Sequence, residues 1–153
     1  MTPIEIPSQL LAASYAHATA AFPDECCGYL VGPADGTAVD TLIRCQNAQT
    51  ANGDPAETGR GSDTGYAFAG RELFDFAVSF RTERPARIVY HSHPNGRAYF
   101  SALDRTIAMA AAGPAYPVQH LVLGVRPGAV TQVAQFGWDP RARDYVELAR
   151  WTP

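Results

Sequence analysis

Two histidines one residue apart, His91 and His93, close an apolar run in "VYHSHPNGRAYFSALDR", residues 89–105, and Ser101 and Asp104 follow. Alternate side chains of a β-strand share a face, so His91 and His93 point the same way with Ser92 opposite, which is the geometry of a two-imidazole metal clamp. A catalytic zinc takes three protein ligands and keeps a fourth position for water. Asp104, beyond a turn from His93, supplies the third ligand if the chain folds back. The same residues have a plainer reading. Ser-x-x-Asp at 101–104 is close to a helix capping box, and an acid in the first helical turn suits the helix dipole with no metal present. His-Pro often simply ends a strand. At the level of single pieces both readings stand.

The elements that must position these residues follow from periodicity and breakers. Ser8 is expected to cap a helix that carries Leu10, Leu11, Ser14, Tyr15 and Ala18 on one face and has ended by Pro23. "CCGYLVG" reads as a buried strand. "TAVDTLIRC", residues 37–45, is its expected hairpin partner across Pro33-Ala-Asp-Gly36. Residues 46–65 are small, polar and without periodicity, which predicts a long loop. Residues 70–85 set Leu73, Phe74, Phe76, Ala77 and Phe80 at helical spacing, the pattern of a core-facing helix. "ARIVYHSH", residues 86–93, is a strand ended by Pro94-Asn95-Gly96, and a helix is expected from Ser101 to about Ala112. "VQHLVLGV" and "AVTQVAQFGW" form a hairpin across Arg126-Pro127-Gly128, whereas "RDYVELARW" fits a strand or a helix. The fold class is therefore mixed α/β with a largely antiparallel sheet flanked by helices, in one domain over residues 1–153.

Composition narrows the function classes. Fifteen acids against twelve bases give a net charge of −3, with no basic run to track a phosphate backbone, so nucleic acid is not the expected partner. Ser, His and Thr interrupt the apolar residues of the first 22, which read as an amphipathic helix and not a signal peptide, and no stretch has the length of a membrane span. A cytoplasmic protein is expected. Cys26, Cys27 and Cys45 are an odd number, and the first two are adjacent, so reduced buried thiols are expected. Neighbouring cysteines on a strand face opposite ways, which favours packing over zinc ligation for that pair. His17 and His120 have no partner at ligand spacing and read as structural.

Strand-borne "HSHP", the six residues "NGRAYF" and then "SALD" together resemble the signature of the JAMM (MPN+, Mov34/PAD-1) metalloproteases, short bacterial single-domain type. Upstream, "FPDECCGYLVG" is similar to the segment that carries the family's glutamate, here Glu25, with Asp24 the rival that residue type alone does not exclude. The likeness spans residues 22–137 in element order. It implies a JAMM/MPN-like, cytidine-deaminase-like fold, one zinc per chain on His91, His93 and Asp104, Glu25 as general acid/base and Ser101 steadying the oxyanion. Zinc brings the pKa of bound water from about 16 to about 7, within reach of a carboxylate base at neutral pH. The implied activity is hydrolysis of an amide or isopeptide bond after the C-terminal Gly-Gly of a small ubiquitin-like, sulfur-carrier type protein. The 46–65 loop lies where the family places a substrate-contacting insertion, expected to accept an extended tail by strand addition. "NGRAYF" departs from the proline often found before the serine, and its Tyr99-Phe100 pair fits either the cleft or the core. The alternative is a non-catalytic MPN module that binds a ubiquitin-like partner, for which Glu25 would not be needed. A deaminase is disfavoured because His-x-Glu with a distant Cys-x-x-Cys is absent.

Overall fold

The computed structural model describes residues 1–48 and 66–153. Most of the 46–65 segment, from 49 onward, lies outside the described residues. Helix α1 spans Ser8–Ala21. Strands β1 (Cys27–Val31) and β2 (Thr41–Cys45) follow, then α2 (Gly70–Ser79), β3 (Ala86–His93) and α3 (Ala102–Ala108). The short strands β4 (Met109–Ala110) and β5 (Gly113–Pro114) precede β6 (Gln119–Arg126), β7 (Ala129–Asp139) and β8 (Asp144–Trp151). Six strands form one sheet in the order β2-β1-β3-β6-β7-β8, and β4 pairs with β5. Every neighbouring pair of the large sheet is antiparallel except β3–β6, which is parallel. A parallel pair needs a long crossover, and here residues 94–118 provide it, with α3 inside. The segment "RDYVELARW" resolves as strand β8.

Strands β1, β3 and β6 are buried almost end to end, consistent with the apolar stretches Cys27–Val31, Ile88–Tyr90 and Leu121–Val125 at their centres. On one face of the sheet α1 covers Leu30, Ile88, Tyr90, Leu121 and Leu123, presenting Leu10, Leu11, Tyr15 and Ala18 as its periodicity predicts. The other face carries Tyr29, Val89, Val122 and Phe136 under α2 and α3, and this face also carries His91. Cys26 packs toward the α1 side and Cys27 toward the opposite one, and all three cysteines are buried free thiols. Burial pushes the Cys26 thiol up to about 12, so it stays protonated at neutral pH.

Four expectations need correction. Ser8 is the first helical residue of α1 and caps nothing; Pro7 is the cap residue, and its carbonyl accepts from Leu10 N and Leu11 N. Residues 37–40 stay outside the hairpin ladder, which begins at Thr41↔Val31. Helix α2 ends at Ser79 and buries only Phe76, which meets Tyr29, Phe68 and Tyr116 edge-on at 5.2, 5.2 and 4.8 Å. Leu73 and Phe74 are 40% and 58% exposed, because a helix of this length lies on the sheet by a narrower stripe than the spacing of its apolar residues implies. Helix α3 stops at Ala108, not near Ala112, because Met109 turns to extended backbone and Met109-Ala110 pairs with Gly113-Pro114 as a short strand instead of continuing the helix. No helix among the described residues is long and apolar enough to cross a membrane.

Candidate metal centre

His91 and His93 end β3, one residue apart, and the strand alternation puts both rings on the α2/α3 face. Their Nε2 atoms face each other at 3.2 Å. Asp104 reaches the pair from the first turn of α3, with Oδ1 3.2 Å from His91 Nε2 and Oδ2 3.1 Å from His93 Nε2. All three are buried. Ser101 is the cap residue of α3: its Oγ accepts from Asp104 N at 3.0 Å, and its own N–H donates to Asp104 Oδ2 at 2.9 Å. Both halves of a capping box are thus formed. Glu25, two residues before β1, is 4% exposed and joins the two imidazoles in a group whose donor atoms lie within 4.8 Å of one another. Asp24 is not part of that group.

What brings Asp104 back to the histidines is the bridge of residues 94–100. Asn95 Oδ1 accepts from Arg97 N at 3.0 Å, and Gly96 takes a positive φ of 76° at the turn. Gly124, the register partner of His93 in β6, lies flat under this turn, and a Cβ there would come within 2.5 Å of the Gly96 carbonyl carbon. Thr131 Oγ1 donates to Gly96 O at 2.7 Å, Ala98 N donates to Gln132 Oε1 at 3.1 Å, and Arg150 donates to Ala98 O at 2.6 Å. The last two strands therefore pin the bridge. A glycine inside a strand signals close backbone approach, so Gly124 carried a trace in the sequence, whereas Thr131, Gln132 and Arg150 carried none.

Charge follows from this packing. Burial works against ionised Asp104, yet the charges and hydrogen bonds of His91 and His93 outweigh it and hold the carboxyl well below the usual carboxylate range. Desolvation pushes fully enclosed His91 down, despite Asp104. His93 also feels desolvation first, but the Asp104 hydrogen bond and charge, with Glu25 added, lift it above its ordinary value. Tyr66 stacks on His91 with ring centroids 4.5 Å apart and planes 18° apart, fixing the imidazole plane.

The donor set fits a metal ion. Ligands at about 2.0–2.1 Å in a tetrahedron are about 3.3 Å apart, and the imidazole–imidazole and imidazole–carboxylate separations of 3.1–3.2 Å nearly match that edge. A cleft of about 330 Å³ opens over the group, lined by Glu25, His93, Asn95, Tyr99, Ser101 and Asp104. Tyr99 and Phe100 divide between the two places open to them. Tyr99 lines the cleft with its ring 4.7 Å from His93, while Phe100 is buried against His120 and Tyr145. A second, almost wholly apolar hollow of about 190 Å³ lies between α2 and α3 and is lined by none of Glu25, His91, His93 and Asp104. His17 binds Tyr90 Oη at 2.7 Å, and His120 sits in the aromatic core between Phe100 and Tyr145, near enough to His91 and Asp104 to feel their charge.

Comparison with known proteins agrees with the fold. A search of curated proteins finds no match. A solution structure of a protein from Desulfitobacterium hafniense is similar with TM-score 0.65 and 21% identity, over 93% of this chain and 87% of that one. One from Salinibacter ruber gives 0.61 and 22%, over 97% and 91%. The crystal structure of a JAB1/MPN domain protein from Archaeoglobus fulgidus gives 0.53 and 17%, over 97% and 96%. The family model for prokaryotic homologues of the JAB domain matches residues 7–136, and the chain belongs to that family.

Proposed function

We propose that the protein is a zinc metallopeptidase that hydrolyses the amide or isopeptide bond after the C-terminal Gly-Gly of a small ubiquitin-like carrier protein in the cytoplasm. The observation that carries this reading is the meeting of a metal-suited triad, His91, His93 and Asp104, with a buried carboxylate from a separate element, Glu25, in one open cleft. Family membership supports hydrolysis, and three buried free thiols suit a reducing compartment.

Asp104 is the ligand and Glu25 the base in this reading. Asp104 already stands at tetrahedral-edge distance from both imidazoles and is held ionised, the form that ligates. Zinc, when bound, supplies Lewis acidity that makes water a usable nucleophile near neutral pH. Glu25 takes the proton released as water attacks the scissile carbonyl, then hands it to the departing amine, so the products are a free C-terminal carboxylate and an amine. Ser101 lines the cleft, and because its oxygen accepts the cap bond its hydroxyl hydrogen is the group that donates to the developing oxyanion. Tyr99 on the rim packs against the arriving chain.

The test is zinc content and cleavage of ubiquitin-like carriers extended past Gly-Gly, with native protein, chelator-treated protein and Glu25→Gln. Native protein cuts, the chelator abolishes cutting, and Glu25→Gln keeps its zinc while losing roughly 10²-fold or more in kcat. Zinc-loaded Glu25→Gln cutting at the native rate refutes the assignment of the base. Zinc-loaded native protein that binds such carriers and cuts none of them makes this a binding module.

A further inference from the structure

Glu25 precedes the sheet, since β1 begins at Cys27, so no strand ladder orients the residue assigned as base. Two buried side chains do so in its place. The peptide group joining Glu25 to Cys26 has its carbonyl oxygen 2.9 Å from Asn47 Nδ2 and its N–H 2.8 Å from Ser92 Oγ. Asn47 is 7% exposed and Ser92 1%. The Asn47 amide can be oriented only one way here: its Oδ1 accepts from Ala67 N at 3.2 Å, which leaves the NH2 to face the Glu25 carbonyl. Ser92 also donates its own N–H to Cys26 O at 3.1 Å, so it holds this stretch of chain through both backbone and side chain.

We propose that Asn47 and Ser92 are positioning residues for Glu25, gripping the two ends of one peptide group and thereby setting the direction in which the Glu25 side chain leaves the backbone. The inference rests on Glu25 being the base. Its geometry is economical: Ser92 lies between His91 and His93, so the residue that anchors the Glu25 peptide belongs to the same two-residue step that aims both imidazoles. The base is thereby referenced to the metal ligands and not merely to the sheet. Asn47 adds the second reference point from just beyond β2, and through Ala67 it ties the same peptide to the segment bearing Tyr66, whose ring stacks on His91. A misplacement of about 1 Å at a reacting group costs on the order of 10²-fold in rate, so a clamp on the peptide plane acts on kcat more than on binding.

The experiment uses the full chain with Asn47→Asp, Ser92→Ala and Ser92→Thr. Asn47→Asp keeps size and the acceptor for Ala67 N but sets an oxygen against the Glu25 carbonyl; Ser92→Thr keeps the hydroxyl. Two quantities are read: bound zinc with kcat and KM on a carrier that native protein cuts, and the hydrogen-exchange rate of the Cys26 amide by NMR. Asn47→Asp and Ser92→Ala are expected to keep zinc and KM, to lose roughly ten- to hundredfold in kcat, and to exchange the Cys26 amide at least about tenfold faster. Ser92→Thr is expected to recover both quantities relative to Ser92→Ala. Native kcat in zinc-loaded Asn47→Asp and Ser92→Ala overturns the proposal, as does an unchanged Cys26 exchange rate in both. If native protein cuts no carrier, the exchange rates still decide the clamp, so its failure and that of the peptidase reading are told apart.

Discussion

His120 makes the fold sensitive to acid in a way that can be worked out. Its ring is enclosed between Phe100 and Tyr145, at centroid distances of 5.0 Å each, and neither ring nitrogen has a hydrogen-bond partner among the described residues. Desolvation, helped by nearby His91, pulls its pKa from 6.5 down to about 3. The depressed value means that the unfolded chain takes up this proton before the folded one does. The associated stability is complete above pH 6.5 and drains away as pH falls from 6.5 toward 3. At pH 5 the loss is RT ln[(1 + 10^1.5)/(1 + 10^−2)], about 2 kcal/mol, against less than about 0.1 kcal/mol at pH 7.5. His120→Leu, of similar volume and without a titrating group, removes this contribution. Urea unfolding of chelator-treated native and variant protein at pH 7.5 and pH 5.0 measures it, with the m-value checked for constancy. The variant should gain about 2 kcal/mol relative to native between the two conditions. A stability difference that is the same at both pH values refutes the assignment of a neutral, desolvated His120.

Two further perturbations separate structure from chemistry. Ser101→Gly keeps most of the cap, at a cost of a few tenths of a kcal/mol against about 1 kcal/mol for Ser101→Ala, yet both variants should lose about 10²-fold in kcat with zinc retained; native kcat in Ser101→Gly removes the oxyanion role. Gly124→Ala sets a Cβ 2.5–2.6 Å from the Gly96–Arg97 backbone, which must move. It should cost about 1–3 kcal/mol in urea unfolding and weaken zinc in a competition titration, and a native midpoint with native affinity would show that the bridge does not need this approach.

Much of this was legible from local pattern. The period of two in "ARIVYHSH" places His91 and His93 on one face, and Ser-x-x-Asp announces the start of α3, because both depend on neighbours a few residues away. The turn at residues 33–36 and the hairpin across 126–128 were readable for the same reason, although the first connection runs on to residue 40 before β2 begins. The burial of α2 was not, since the spacing of Leu73 and Phe74 reports an apolar stripe but not how wide a surface the sheet offers to cover it. Nor was the parallel pairing of β3 with β6, which a chain solves only by closing a long crossover. The contacts that pin the bridge and the Glu25–Cys26 peptide share this property: Thr131 to Gly96, Arg150 to Ala98 and Ser92 to Cys26 join residues 35, 52 and 66 positions apart.

Capping and ligation, which the sequence leaves as rival readings of Ser101 and Asp104, do not exclude each other, because the capped carboxylate still faces both histidines. Asp104 Oδ2 accepts the Ser101 N–H at 2.9 Å while facing His93 at 3.1 Å, and Oδ1 is left for His91 at 3.2 Å. The cap bond fixes the plane of the carboxylate, which is what an outer hydrogen bond does for a metal ligand. Ser101 is correspondingly locked at the cleft by the Asp104 N–H, so one helical turn fixes the Ser101 hydroxyl and the Asp104 carboxylate with respect to each other. The arrangement explains why the spacing is three residues: a capping box imposes it for backbone reasons, and any wider spacing would release Asp104 from the hydrogen bond that aims it at the histidines.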